Sequence, residues 1–299
     1  INPTSTMLKF RPSFTIDLTT VAALPPWGRD TPNATTSEDH MKLLRYGPAG
    51  QEKPGCLDSE GRVRDLSGHV DDIAGAALLP EAIARLKALN VTTLPLVNGT
   101  PQDDLRLGPC VGQTGKFVCI GLNYADHAAE SGMDVPPEPV IFNKWTSAII
   151  GSDDDVIIPR GSKKTDWEVE LGVVMGKTAK YVKKEGALDH VAGYCVVNDV
   201  SERHYQKHLS GNWTKGKSCD TFGPTGPWMV TRDEIPDPQA LDMTLDVNGK
   251  RMQTGNTGTM IFTVAEIIEH LSHLFTLHPG DVIATGTPPG VGLGMKPPT

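Results

Sequence analysis

Several things are scarce in this chain, and each scarcity excludes a class. Basic residues do not dominate: 28 Lys and Arg stand against 36 Asp and Glu, a net charge of −8. No extended basic patch occurs, so nucleic acid is not an expected partner. The five cysteines (Cys56, Cys110, Cys119, Cys195, Cys219) are odd in number and scattered, without a CxxC pair. That argues against a disulfide framework or a cysteine-ligated zinc site, and fits a reducing, cytoplasmic setting. No apolar run approaches the roughly 18 residues of a membrane span, so no membrane partner is expected. No internal repeat is evident.

Glycine and proline are abundant, at 31 and 24 of 299 residues. This implies many turns and short strands rather than a helix bundle. The length allows one large domain, or a large domain with a smaller one. Residues 1–40, rich in Thr, Pro and Ser, show no sustained period. They read as a leader or an added extension outside the fold, with Met41 as a natural start. Residues 41–112 read as a small N-terminal lobe of strands and one short helix, Pro80 to Asn90, with Pro80 in its first turn. Residues 113–299 form the main domain. Within it Phe117–Gly121, Glu138–Trp145, Gly193–Val200 and Leu241–Val247 read as strands. Asn248-Gly249 is a two-residue hairpin turn. Thr263-Val-Ala-Glu266 is a capping box before a helix whose apolar face carries Val264, Ile267, Ile268, Leu271, Leu274 and Phe275.

The chemistry gathers around Thr165–Gly176. Its apolar residues Val169, Leu171, Val173 and Met175 alternate with Glu168 and Glu170, which argues for a strand. Both glutamates then face one side, about 7 Å apart at a strand's rise. Such a pair suits a hard divalent cation, or it is the polar face of a half-exposed strand. Asp199, at the end of an apolar strand, is either a third oxygen ligand or a cap for a helix beginning near Ser201. His127 and Glu130 lie three apart in a helical reading of Tyr124–Ser131. A carboxylate there orients an imidazole and raises its basicity, or the two are a surface pair. Lys144 sits among apolar residues. Gly211–Ser218 fits the phosphate-loop pattern GxxxxGK[ST], but no strand precedes it and Gly223-Pro224 cut short any following helix, so the match is rejected. Lys217 remains a cation near a carboxylate-rich region or a plain surface lysine. The Pro279–Gly290 stretch ends in a glycine-rich loop with Thr285 and Thr287 as donors, or in a tight turn.

Seven motifs occur together and in order: GLNYADHAAESG, EPVIFNKW, DWEVELGVVMGK, GYCVVNDVSER, KGKSCDTFGP, VNGKRMQTGNTGTMIF and PGDVIATGTPPGVG. Together they resemble the fumarylacetoacetate hydrolase family, most closely members acting on 2,4-diketo sugar acids or called ureidoglycolate lyase. The resemblance covers 41–299, most strongly 117–296. It implies an α+β, mainly β fold: a rolled, barrel-like mixed sheet behind a small N-terminal lobe, commonly dimeric. It implies Mg2+ (or Mn2+, with Ca2+ able to bind in vitro) held by Glu168, Glu170 and Asp199. It implies catalytic roles for His127, Glu130 and Lys217, and substrate contacts at Tyr124, Lys144, Gln206 and Thr287. The implied substrate is a small 2-oxo acid, a 2,4-diketo acid cleaved by water to pyruvate and a second acid. The same metal–enolate site would also serve a ureidoglycolate lyase, an oxaloacetate decarboxylase, an isomerase or a hydratase. A non-catalytic metal or organic-acid binder is a further reading. Family members continue beyond the Lys-Pro-Pro that follows the glycine loop, so the chain reads as shortened at Thr299.

Overall fold

The computed structural model describes residues 13–16, 41–98, 105–126 and 134–295. Fifteen strands lie among them. The first, β1 (Ser13–Ile16), is followed by β2 (Lys42–Tyr46), β3 (Lys53–Leu57), β4 (Val63–Asp65), β5 (Phe117–Gly121), β6 (Val140–Lys144), β7 (Ile149–Ile150) and β8 (Thr165–Asp166). Next come β9 (Val169–Met175), β10 (Val191–Asn198), β11 (Ser201–Glu202), β12 (Gly223–Thr231), β13 (Asp242–Val247), β14 (Lys250–Asn256) and β15 (Val282–Ala284).

The main sheet runs β4-β3-β2-β12-β10-β9-β15-β5-β6, with β7 joined to β12. It is mixed: β15 pairs with β5, and β7 with β12, in parallel, while the other neighbours are antiparallel. β4 and β6 are its free ends among the described residues, so the sheet does not close into a barrel. It continues across position 112, because β2 pairs directly with β12. β1 pairs antiparallel with β13, at the edge of a separate three-stranded sheet with β14.

β9 lies inside the main sheet, and every one of its residues is buried. Its alternation sends Val169, Leu171, Val173 and Met175 into one apolar cluster with Val264, Ile267, Ile268 and Leu271 of the 264–274 helix. Val174 faces the other way, into a second cluster with Leu43, Phe117 and Val197. The period of two thus serves two cores, as a strand covered on both faces requires.

The capping box forms: the Thr263 hydroxyl accepts from the Glu266 amide, and Glu266 Oε2 accepts from the Thr263 amide at 2.8 Å. Leu274, expected on the apolar face, is instead 56% exposed at the helix's last residue. The short helix starts at Pro80 but stops at Lys87, before the expected Asn90. Asn90 instead caps the 3-10 turn Val91–Thr93, accepting from the Thr92 amide. The Asn248-Gly249 turn joins β13 to β14 with positive φ at both residues, 52° and 75°, the conformation a two-residue hairpin favours.

Candidate metal centre

β9 and β10 pair antiparallel, with Asn198 opposite Val169 and Val197 opposite Glu170. This register brings the start of one strand beside the end of the other. Glu168 lies one residue before β9, and Asp199 one residue after β10. Two bonds lock the junction: the Asp199 amide donates to the Glu168 carbonyl at 2.9 Å, and the Glu168 amide donates to Asn198 Oδ1 at 3.0 Å. Glu168, Glu170 and Asp199, all buried, consequently offer carboxylate oxygens within 4.8 Å of one another. Asp199 does not cap the following helix. Glu202 does, accepting from the His204 amide at 3.0 Å.

Cations surround two of the three acids. Lys217 Nζ donates to Glu168 Oε2 at 2.7 Å and to Asp199 Oδ2 at 2.5 Å. Lys144 Nζ donates to Asp199 Oδ1 at 2.5 Å and to the Val200 carbonyl at 3.0 Å. Arg203 Nη1 donates to Glu168 Oε1 at 2.6 Å and to Gln206 Oε1 at 3.1 Å. Glu170 differs. Its Oε2 accepts from the Gly286 amide at 2.8 Å, and no ion pair reaches it among the described residues. Burial, then Asp199 and Glu168, push its carboxyl well above the usual range. Burial works against the charge on Lys217, but Asp199 and then Glu168 outweigh it and hold that ammonium's pKa up.

The glycine-rich loop closes one side. Gly286 sits at φ 100°, where a side chain would be strained. Thr285 and Thr287 hydroxyls donate to the Leu171 and Val169 carbonyls, each at 2.9 Å. Gln253 on β14 spans the gap, donating to Thr287 Oγ1 at 2.8 Å and accepting from the Val169 amide at 2.9 Å. A cavity of about 50 Å³ opens beside the acids, with Glu168, Glu170, Arg203, Gln206, Lys217 and Thr287 among its polar lining.

Three clustered carboxylates, one without an ion pair among the described residues, are the oxygen-rich donor set a hard divalent cation takes. A cation held there would supply the charge that Glu170 lacks. The residues therefore fit a metal at this position, with Glu168, Glu170 and Asp199 as its ligands.

The other expected residues fall in distinct places. Gln206 and Thr287 line the cavity, whereas Lys144 stands behind Asp199. Tyr124 is fully buried and not part of the cavity lining, with its hydroxyl 3.6 Å from Met243 Sδ. His127 and Glu130 lie outside the described residues, as does most of the helical reading around them. The rejected phosphate loop is a four-residue helical turn, Thr214–Lys217, preceded by the helix Arg203–His208 and not by a strand.

Sequence reasoning missed Asp166, Arg203 and Gln253. Asp166 accepts from Arg203 Nε at 2.7 Å and from the Gly292 and Leu293 amides at 2.7 and 3.0 Å. It thereby ties the glycine loop to the arginine that holds Glu168. One signal was readable: Asp166, Glu168 and Glu170 share the same period of two. Nothing in the sequence marks Gln253, which arrives from a hairpin 83 positions beyond Glu170.

Residues 116–299 match the family of the fumarylacetoacetate (FAA) hydrolase C-terminal domain. The chain belongs to the fumarylacetoacetate hydrolase family. A Burkholderia ambifaria relative, whose name carries only a provisional hydrolase assignment, is 65% identical over 257 residues, which are 86% of this chain and 90% of that one. The fold matches the fumarylacetoacetate hydrolase of Exiguobacterium antarcticum at 35% identity and TM-score 0.72, covering 87% of this chain and 91% of that one. It also matches a maleylpyruvate hydrolase from Sphingobium sp. SYK-6, solved with manganese(II) and pyruvate, at 28% identity and TM-score 0.71, covering 84% and 90%. A third match is the 2-hydroxyhepta-2,4-diene-1,7-dioate isomerase of Mycobacterium marinum, at 34% identity and TM-score 0.64, covering 84% and 89%. The chain's solved relatives thus include both hydrolases and isomerases of the fumarylacetoacetate hydrolase superfamily.

Proposed function

We propose that this protein is a divalent-metal-dependent hydrolase that cleaves the C–C bond of a 2,4-diketo acid, an acylpyruvate or a diketo-deoxy sugar acid. The overall change is RCO–CH2–CO–COO− + H2O → RCOOH + CH3–CO–COO−. The observation that carries the reading is the buried Glu168, Glu170 and Asp199 cluster with Lys217 bridging two of its members. The manganese and pyruvate in the maleylpyruvate hydrolase support it by likeness.

A bound Mg2+ or Mn2+ would act as a Lewis acid on the 2-oxo acid end and stabilise the enolate released on cleavage. Lys217, buried and charged, offers a fixed positive group beside developing negative charge, where low polarity strengthens its effect. Lys144 and Arg203 hold Asp199 and Glu168 in place, so the ligand oxygens need no reorganisation when substrate arrives. Gln206 and Thr287, on the cavity wall, are placed to orient the 2-oxo acid. His127 as general base for the attacking water, oriented by Glu130, is proposed from the family motif alone. So is a homodimer, which light scattering would refute by returning the 32.1 kDa mass of one chain.

A second reading uses the same site without water attack: an isomerase, for which the Mycobacterium marinum neighbour speaks, or a decarboxylase or lyase. The deciding experiment measures pyruvate release from a panel of 2,4-diketo acids with Mg2+, with Mn2+ and with EDTA. Metal-dependent release is expected. Enol–keto interconversion without release would establish the isomerase reading instead.

A further inference from the structure

We infer that Trp213 sets how long an acyl group the site accepts, and that it restricts the substrate to acyl groups of about one to three carbons. The inference rests on the acylpyruvate reading above, and adds a residue and a chain-length class to it.

The cavity's lining is of two kinds. Beside the acids and their partners it has the apolar Ile120, Leu122, Phe142, Trp213, Val291 and Leu293. A 2-oxo acid held by the acids has this apolar lining for its far substituent. The cavity is small, about 50 Å³, room for only a few waters.

Trp213 is the largest group in that lining; its ring is packed on two sides and its backbone carbonyl is anchored. Its ring lies against the end of β5, so closely that a Cβ on Gly121 would sit 2.3 Å from Cζ3. The same ring packs on Phe142, centroids 5.4 Å apart and tilted by 60°. Phe142 in turn lies 5.1 Å from Lys217 Nζ. The Trp213 carbonyl accepts from the Gly216 and Lys217 amides at 2.9 and 3.1 Å. The indole is thus held against β5 and Phe142, where it stands in the path of a longer substrate. It is a specificity-determining residue that shares one short helical turn with Lys217.

The test uses two readouts. The first is calorimetric binding, in Mn2+, of 2-oxobutanoate, 2-oxohexanoate and 2-oxooctanoate, a series that needs no turnover. An open apolar pocket would gain about fourfold in affinity per added methylene. The native protein should instead lose at least tenfold between the six- and eight-carbon acids. Trp213→Ala, and Trp213→Leu as the milder change, should bind the eight-carbon acid at least as tightly as the six-carbon one. The second readout is kcat/KM for acetylpyruvate against hexanoylpyruvate, whose ratio should fall at least tenfold in the variants. A native affinity that keeps rising to eight carbons overturns the inference. So does an unchanged length profile in the variants, or no binding of any member. A native protein that binds the series with the expected cutoff but releases no pyruvate defeats the hydrolase reading and leaves the inference standing.

Discussion

Replacing Lys217 with methionine removes the charge that bridges Glu168 and Asp199 while keeping most of the side-chain volume. The two contacts are 2.7 and 2.5 Å long, and the lysine is 2% exposed. At an effective dielectric near 20, each contact is a gross attraction on the order of 6 kcal/mol. Desolvation of the buried ions cancels much of that, so the net cost of stripping one partner from a buried pair is about 3–5 kcal/mol. For a chain of this length each kcal/mol moves Tm by about 2 °C, so metal-free Lys217→Met should melt about 6–10 °C below the native protein. A divalent cation replaces the missing positive charge, and at 100 times its Kd it returns about 2.7 kcal/mol. Mn2+ should therefore raise the variant's Tm by more than it raises the native protein's, while pyruvate release stays impaired. Differential scanning calorimetry with EDTA and with Mn2+ reads both effects. A metal-free variant that melts within 1 °C of the native protein would refute the assignment of Lys217 as the counter-ion of this cluster.

Glu170→Gln should separate stability from metal binding. The amide oxygen can still accept from Gly286, while a buried carboxylate without an ion pair is removed. The metal-free variant should be at least as stable as the native protein, its Mn2+ affinity should fall more than tenfold by calorimetry, and pyruvate release should fall with it. Far from the site, burial alone would raise the Asp58 carboxyl. Hydrogen bonds from the Arg62 amide and from the Arg64 and Arg62 guanidinium groups instead lower it to about 2. Because the folded pKa lies below the unfolded one, the stability it contributes is present above about pH 4 and is lost as pH falls toward 2. Asp58→Asn should flatten that part of the acid unfolding curve, and an unaltered curve would remove Asp58 as its source.

Much of the local structure was readable because it rests on short-range physics. The Asn248-Gly249 turn, the Thr263–Glu266 capping box and the alternation of Val169 to Met175 each depend on neighbours within a few residues. The E-x-E spacing put Glu168 and Glu170 on one side for the same reason. Helix ends were less readable. Asn90 caps a 3-10 turn rather than closing the helix before it: its backbone is extended (φ −75°, ψ 97°), not the left-handed form of a helix-ending asparagine, and its side chain accepts from the Thr92 amide.

Local pattern named the residue types that could form the centre: acids at a strand's period and a glycine–threonine loop, with Lys217 added by the family resemblance. Their pairing came from the fold. The β9–β10 register brought Asp199 to Glu168. Packing placed Lys144, Lys217 and Arg203 on two of the acids and gave Glu170 the Gly286 amide, with no ion pair among the described residues. Gln253, from a distant hairpin, fastened the loop to β9. Charge pairing acts through space, and in a buried centre its balance is set by residues that no local pattern relates.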